Sequence, residues 1–153
     1  IGGGGDNTAS GLVATVGGGQ LNTASAEGAT VAGGINNKAR GRFSVVSGGG
    51  APTPSDSNSA LGDWSTVSGG VHNTASGSYS TIGGGFVNIA SGFNATVGGG
   101  DGNTANGAFN ATVGGGEGNT ASGPNATVSG GGGNTASALY ATVGGGVENT
   151  ASG

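Results

Sequence analysis

Ten asparagines occupy matching places along the chain: Asn7, Asn22, Asn37, Asn58, Asn73, Asn88, Asn103, Asn119, Asn134 and Asn149. An amide repeated at a fixed interval has two chemical uses. It can offer neutral oxygen ligands to a metal or substrate, which needs carboxylates beside it to balance charge. Alternatively, amides one rung apart can bond to each other in a continuous ladder and cap turn backbone groups. No set of carboxylates accompanies these asparagines, so the ladder is the favoured reading.

The other chemistry-bearing residues form no constellation. His72 is the only His. No Asp or Glu lies within six residues on either side of it, so neither a hydrolase triad nor a metal cluster has sequence support. Gly-Gly-Gly-Gly-Asp at 2–6 and Gly-Gly-Gly-Asp at 98–101 are too sparse for calcium-binding rolls, which need an Asp on nearly every turn. There is no Gly-Lys-Ser/Thr phosphate loop. No cofactor is implied, and nothing points to an enzyme. Lys38, Arg40 and Arg42 fall in one coil, with Trp64 beyond an inserted segment, so a local recognition surface, if present, is placed at 38–64. A net charge of −4 gives no electrostatic footprint for nucleic acid. Asn94, Asn110 and Asn125 each begin Asn-Ala-Thr, the glycosylation acceptor pattern, and in an exported fibre they would decorate one face.

The elements that must position these residues follow from the repeat. An aliphatic residue recurs at Ile1, Val16, Val31, Val46, Val67, Ile82, Val97, Val113, Val128 and Val143. The spacing is 15, apart from 21 across Val46–Val67 and 16 across Val97–Val113. So short a unit stacks into a solenoid. The sequence therefore predicts an all-β parallel β-roll or β-solenoid of about ten 15-residue coils. Gly recurs two and three residues after each aliphatic mark, and a second Gly corner falls at Gly11, Gly41, Gly62, Gly77, Gly92, Gly107, Gly123 and Gly153. Between the corners lie two short extended arms, Ala-Thr-Val and Asn-Thr-Ala. Period-2 alternation turns Ala, Val and Asn inward and both Thr outward. The Ala two residues after each Asn is the same in all ten units, from Ala9 to Ala151, so the interior must be narrow. At about 4.8 Å per rung, the rod should be roughly 45–50 Å long.

Composition restricts the alternatives. Gly makes up 41 of 153 residues, but it comes in triplets rather than at every third position, which excludes collagen. Strict repetition of Val, Asn and Ala argues against a disordered linker. Cys is absent, and no apolar run approaches a membrane span. Residues 1–153 read as one repeat domain, a piece of a longer fibre, with 51–57 (Ala51-Pro52-Thr53-Pro54-Ser55-Asp56-Ser57) as an inserted surface loop. One Val and two Ala per coil bury little apolar surface against the cost of ordering fifteen backbone residues, so lateral association with other copies is expected. Its seam would be the apolar residues beside the corners: Leu12, Val13, Leu21, Ile35, Phe43, Trp64, Val71, Tyr79, Phe86, Val87, Phe93, Phe109, Leu139, Tyr140 and Val147.

The unit resembles the YadA-like head repeats of trimeric autotransporter adhesins. The matching stretch is, for example, Ala95-Thr96-Val97-Gly98-Gly99-Gly100-x-x-Asn103-Thr104-Ala105-Asn106-Gly107, with one Gly more than the family pattern, and the resemblance spans essentially the whole chain. It implies a left-handed roll, a homotrimer, and an extracellular or cell-surface position from which host or matrix surfaces are bound. Similar repeats occur in phage and viral fibres, which gives a tail fibre as the alternative. A third reading is an ice-binding solenoid. Its motive is two outward Thr files, one running from Thr15 to Thr142 and the other from Thr8 to Thr150, interrupted at Val45, Lys38 and Ile89.

Overall fold

The computed structural model describes the backbone of residues 1–153 and every side chain except that of Pro54. β-Branched Thr and Val suit extended backbone, and each arm forms a strand of two residues. Ten strands built on the Asn-Thr-Ala arm make one parallel sheet: Thr8–Ala9, Thr23–Ala24, Lys38–Ala39, Ser59–Ala60, Thr74–Ala75, Ile89–Ala90, Thr104–Ala105, Thr120–Ala121, Thr135–Ala136 and Thr150–Ala151. We call this the alanine sheet. Nine strands make the other, the valine sheet: Thr15–Val16, Thr30–Val31, Val45–Val46, Thr66–Val67, Thr81–Ile82, Thr96–Val97, Thr112–Val113, Thr127–Val128 and Thr142–Val143. Each strand pairs with its equivalent one coil away and never slips, so Thr81 lies opposite Thr96 and Ala90 opposite Ala105. The chain is a parallel β-solenoid of about ten coils. No helix is long and apolar enough to cross a membrane among the described residues.

The alternation expected from period 2 is present. Val16, Val31, Val46, Val67, Ile82, Val97, Val113 and Val128 are fully buried from one sheet, and Ala24 through Ala136 from the other. The Thr residues preceding them are exposed or half-buried. The core is therefore a single file of Val facing a single file of Ala, with Asn22 through Asn134 buried at one margin. At the other margin, Ser65 and Ser80 replace Ala and donate to the corner carbonyls of Gly62 (2.7 Å) and Gly77 (2.6 Å).

Glycine is required where the coil turns beneath its neighbour. At Gly85, φ is +91°, and an added Cβ would strike the carbonyl oxygen of Gly100 and sit 2.8 Å from Asn88 Nδ2. The equivalent glycine of every coil has φ between +76° and +96°. Both corners also place non-glycine residues at positive φ, including Val13, Leu21, Phe43, Trp64, Tyr79, Val87 and Tyr140. Such residues ordinarily avoid this region. Here the amide is directed at the preceding coil: Phe43 donates to Glu27 O, Trp64 to Arg42 O and Tyr79 to Asp63 O, each at 2.8 Å. The inserted segment includes one turn of 3-10 helix, Pro54–Asp56.

Candidate functional site

The ten asparagines stack along one edge of the core. The Asn22 N–H donates to Asn7 Oδ1 at 3.0 Å, and the same bond recurs from Asn88 to Asn73 and from Asn134 to Asn119 at 3.0 Å. From Asn7 to Asn134 each side-chain amide also donates to two glycine carbonyls, one before it in the chain and one in the next coil, and Asn149 donates to Gly145 O alone of the glycines. For Asn88 the two are Gly84 O (3.0 Å) and Gly100 O (2.9 Å). From Asn73 onward the amide additionally reaches the preceding asparagine, as in Asn103 Nδ2 to Asn88 Oδ1 at 3.2 Å. With both ends engaged by protein, these groups form the polar half of the core.

The ladder is broken once. Asn37 is fully buried, and its Oδ1 has no partner. The corner carbonyl of each complete coil accepts a main-chain N–H from the next, as Gln20 O does from Asn36 and Val71 O from Val87. Ile35 O receives none of the main-chain bonds found outside the strands. Both oxygens face Gly50, where an added Cβ would collide with Ile35 O and lie 2.8 Å from Asn37 Oδ1. The cause is the insertion, which sends the backbone away between Gly49 and Asn58. Asn36, itself buried beneath the departing loop, holds it by donating to Ala51 O (2.9 Å) and Pro52 O (2.8 Å).

The four basic and aromatic residues singled out from sequence do not converge on one spot. Lys38 lies on the alanine sheet and Arg40 just past the end of its strand, and Lys38 Nζ reaches Ser57 Oγ of the inserted segment at 2.9 Å. Arg42 belongs to the adjoining corner. Its Nε lies 3.3 Å from Asp63 Oδ2, and its guanidinium sits 5.6 Å from the Trp64 ring centre. His72 has a carboxylate neighbour that its sequence surroundings conceal: coil stacking brings Asp56 Oδ1 to 4.0 Å from Nδ1. Hydroxyls of Thr53 and then Ser55 hydrogen-bond the Asp56 carboxylate and hold its pKa below the ordinary value, with His72 adding a smaller effect. Among the described residues, no three His, Asp or Glu side chains gather closely enough to share a metal ion.

The expected apolar seam divides between two corners. One corner carries Leu21, Ile35, Val71, Phe86, Val87 and Val147, beside Asp101 and Glu117. The other carries a stack of rings. Phe43 and Trp64 are 6.1 Å apart, Trp64 and Tyr79 4.9 Å apart and nearly coplanar in tilt (5°), and Phe93 and Phe109 continue the file edge-on. Each ring remains about half exposed. Further along, asparagines replace aromatics at the same positive-φ position, with Asn94 Nδ2 donating to Asn110 Oδ1 and Asn110 Nδ2 to Asn125 Oδ1, both at 2.8 Å. The three acceptor-pattern asparagines thus sit in αL turns with φ of 49–56°, a conformation Asn tolerates well, and form a second, exposed ladder.

The two sheet faces differ. The alanine sheet and the residues just after its strands show Thr and Ser, interrupted by Lys38, Arg40, Leu61, Ile89 and Asn106. On the valine sheet, six threonines run unbroken from Thr66 to Thr142, and Val45 is the single exception in the file. From the residue two before each valine mark to the glycine three after it, none of the coils carries a charge.

These features define a two-sheeted parallel β-solenoid with side chains displayed at its corners. No protein-family model matches the chain, and no curated protein matches it.

Proposed function

We propose that the chain is a segment of an extracellular or cell-surface fibre, structural and adhesive, whose copies associate side by side as the homotrimer that its resemblance to adhesin heads implies. The observation that carries this reading is the charge-free valine-sheet face running the length of the rod. Solvent-facing surfaces normally intersperse charges, and charge depletion is the compositional mark of an interface core. The exposed ring file beside that face supplies apolar surface of the kind that meets a partner. Light scattering on residues 1–153 across micromolar concentrations tests the association: a mass of three chains supports it, and a monomer throughout refutes it. Retention of protein-coated beads on matrix or cell surfaces, compared with bare beads, tests the adhesive part.

One observation favours a second reading, an ice-binding solenoid. The threonines from Thr66 to Thr142 recur in register without interruption, which presents hydroxyls and methyls at one fixed spacing of about 4.8 Å. Thermal hysteresis measured on the monomeric protein decides this. Its absence removes the reading.

A further inference from the structure

We propose that the ring file of one copy packs along the charge-free valine-sheet face of a second copy. This rests on the reading of the chain as a self-associating fibre and names the two surfaces that meet. The rings supply the first half of the argument. Phe43, Trp64, Tyr79, Phe93 and Phe109 give one ring per coil over five successive coils, each 42–56% exposed. Their faces are already used against one another: Trp64 lies between Phe43 and Tyr79, and Phe43 covers Gly28, where a Cβ would meet its ring. A sugar or base stacks on a free ring face, and in the stacked part of the file, from Phe43 to Tyr79, the faces are turned to neighbouring rings. What remains is an apolar ridge, stepping back by one residue of the coil at Phe93 and Phe109, with roughly 400–500 Å² of exposed ring surface, taking 150–250 Å² per side chain.

The face supplies the second half. A ridge with one ring per rung keeps contact over five rungs only against a surface of the same rung spacing, and the valine sheet has that spacing by construction. Beside its threonines stand Gly83, Gly98 and Gly114, which put no side chain in the way of an approaching ring edge. No charge on that face would be desolvated by the contact. A ridge of this size provides about half of the 800 Å² that a partner in a standard interface buries. The strip of the second copy's threonine face that it covers is of matching size, so the contact buries about 800–1,000 Å² in total, at the small end of specific interfaces.

Two double variants separate the surfaces. Trp64→Asn with Tyr79→Asn removes the stacked centre of the ridge and interrupts it, while keeping a residue type that already occupies the equivalent position at Asn94, Asn110 and Asn125. Thr96→Lys with Thr112→Lys charges the face, using a residue that the alanine sheet accepts at Lys38. In light scattering at equal concentration, the wild type is expected to assemble and each variant alone to be monomeric. Their equimolar mixture is expected to form a two-chain species, because each pair retains one ridge and one face. Thr120→Lys with Thr135→Lys, on the alanine sheet, should keep the wild-type mass. If either the ridge or the face variant keeps that mass, or the mixture stays monomeric, the pairing is overturned while the fibre reading stands. A monomeric wild type overturns both. Should a double variant lose its β-sheet circular dichroism, Tyr79→Asn and Thr112→Lys singly give the same readout as a fall in the assembled fraction.

Discussion

Two alanine substitutions within one ladder should differ in cost because only one of them removes an acceptor in use. In Asn88→Ala the amide lost is one that donates to Gly84 O, Gly100 O and Asn73 Oδ1 and accepts from the Asn103 N–H at 3.0 Å and from Asn103 Nδ2, which keeps its two glycine carbonyls. Gly100 O keeps the Phe86 N–H, and Asn73 Oδ1 keeps the Asn88 N–H. Gly84 O and the Asn103 N–H lose their partner. Each orphaned group costs about 1–3 kcal/mol, and the vacated volume adds to this, so the expected loss is about 3–6 kcal/mol. In Asn37→Ala, Gly49 O keeps the Ile35 N–H, only Gly33 O is orphaned, and an already unpaired Oδ1 is removed. With the same vacated volume, about 2–4 kcal/mol is expected there. Urea unfolding followed by far-ultraviolet circular dichroism measures both. Native-state hydrogen exchange resolves which coils open, because repeat arrays do not always unfold as one unit. An Asn37→Ala loss equal to or larger than that of Asn88→Ala would refute the account of the ladder.

Other outcomes follow from the same geometry. Gly85→Ala should cost about 3–5 kcal/mol through positive φ and collision with the next coil, whereas Gly102→Ala, at φ +63° with open space around it, should cost about 1 kcal/mol; paired thermal melts compare them. Replacing residues 50–57 by the dipeptide Gln-Leu of positions 20–21 should let the Asn58 N–H reach Asn37 Oδ1 and stabilise the rod by about 1–3 kcal/mol, read as a higher urea midpoint. The Asp56 carboxyl, with its folded pKa depressed, contributes in full above the unfolded carboxylate value and loses that contribution as pH falls through the lowered folded value. Carbon-13 titration should place its midpoint below that of an ordinary Asp, and Thr53→Ala should move it back up.

Much of this was legible in the sequence because the repeat exposes each residue's environment ten times. A position that accepts only Ala, as from Ala9 to Ala151, identifies a tight interior, and alternation placed Val16 inside and Thr15 outside. The corners were harder to read. Val13, Leu21 and Trp64 sit at positive φ, and nothing in a β-branched or aromatic side chain advertises that conformation; the signal was the Gly, Asn or Asp that occupies the same column in other coils. The division of the apolar seam into two corners was hidden because both sets stand beside a glycine. The Asp56–His72 approach was hidden for a different reason. The insertion changes the local period, so a partner one coil away does not stand fifteen residues away. The unpaired Asn37 Oδ1 has the same origin.

That unpaired oxygen has a mechanical consequence. Coil junctions lie in series along the rod, while the hydrogen bonds within each junction act in parallel. A pull along the axis loads every junction equally and opens the one whose rungs are least tied to each other. The junction between the coils of Asn37 and Asn58 lacks the asparagine bond and the corner main-chain bond that the others have; the side-chain bonds from Asn36 to Ala51 O and Pro52 O and from Lys38 to Ser57 end on the inserted segment and not on the next rung, and the exposed Arg42–Asp63 pair adds little. Under tension the rod would therefore part there first. Residues 50–57 would then pay out roughly 25 Å of slack, at 3.3–3.6 Å per residue, before any other rung is strained. In a tethered fibre exposed to flow, the insertion would serve as a fuse that lengthens before the remaining coils yield.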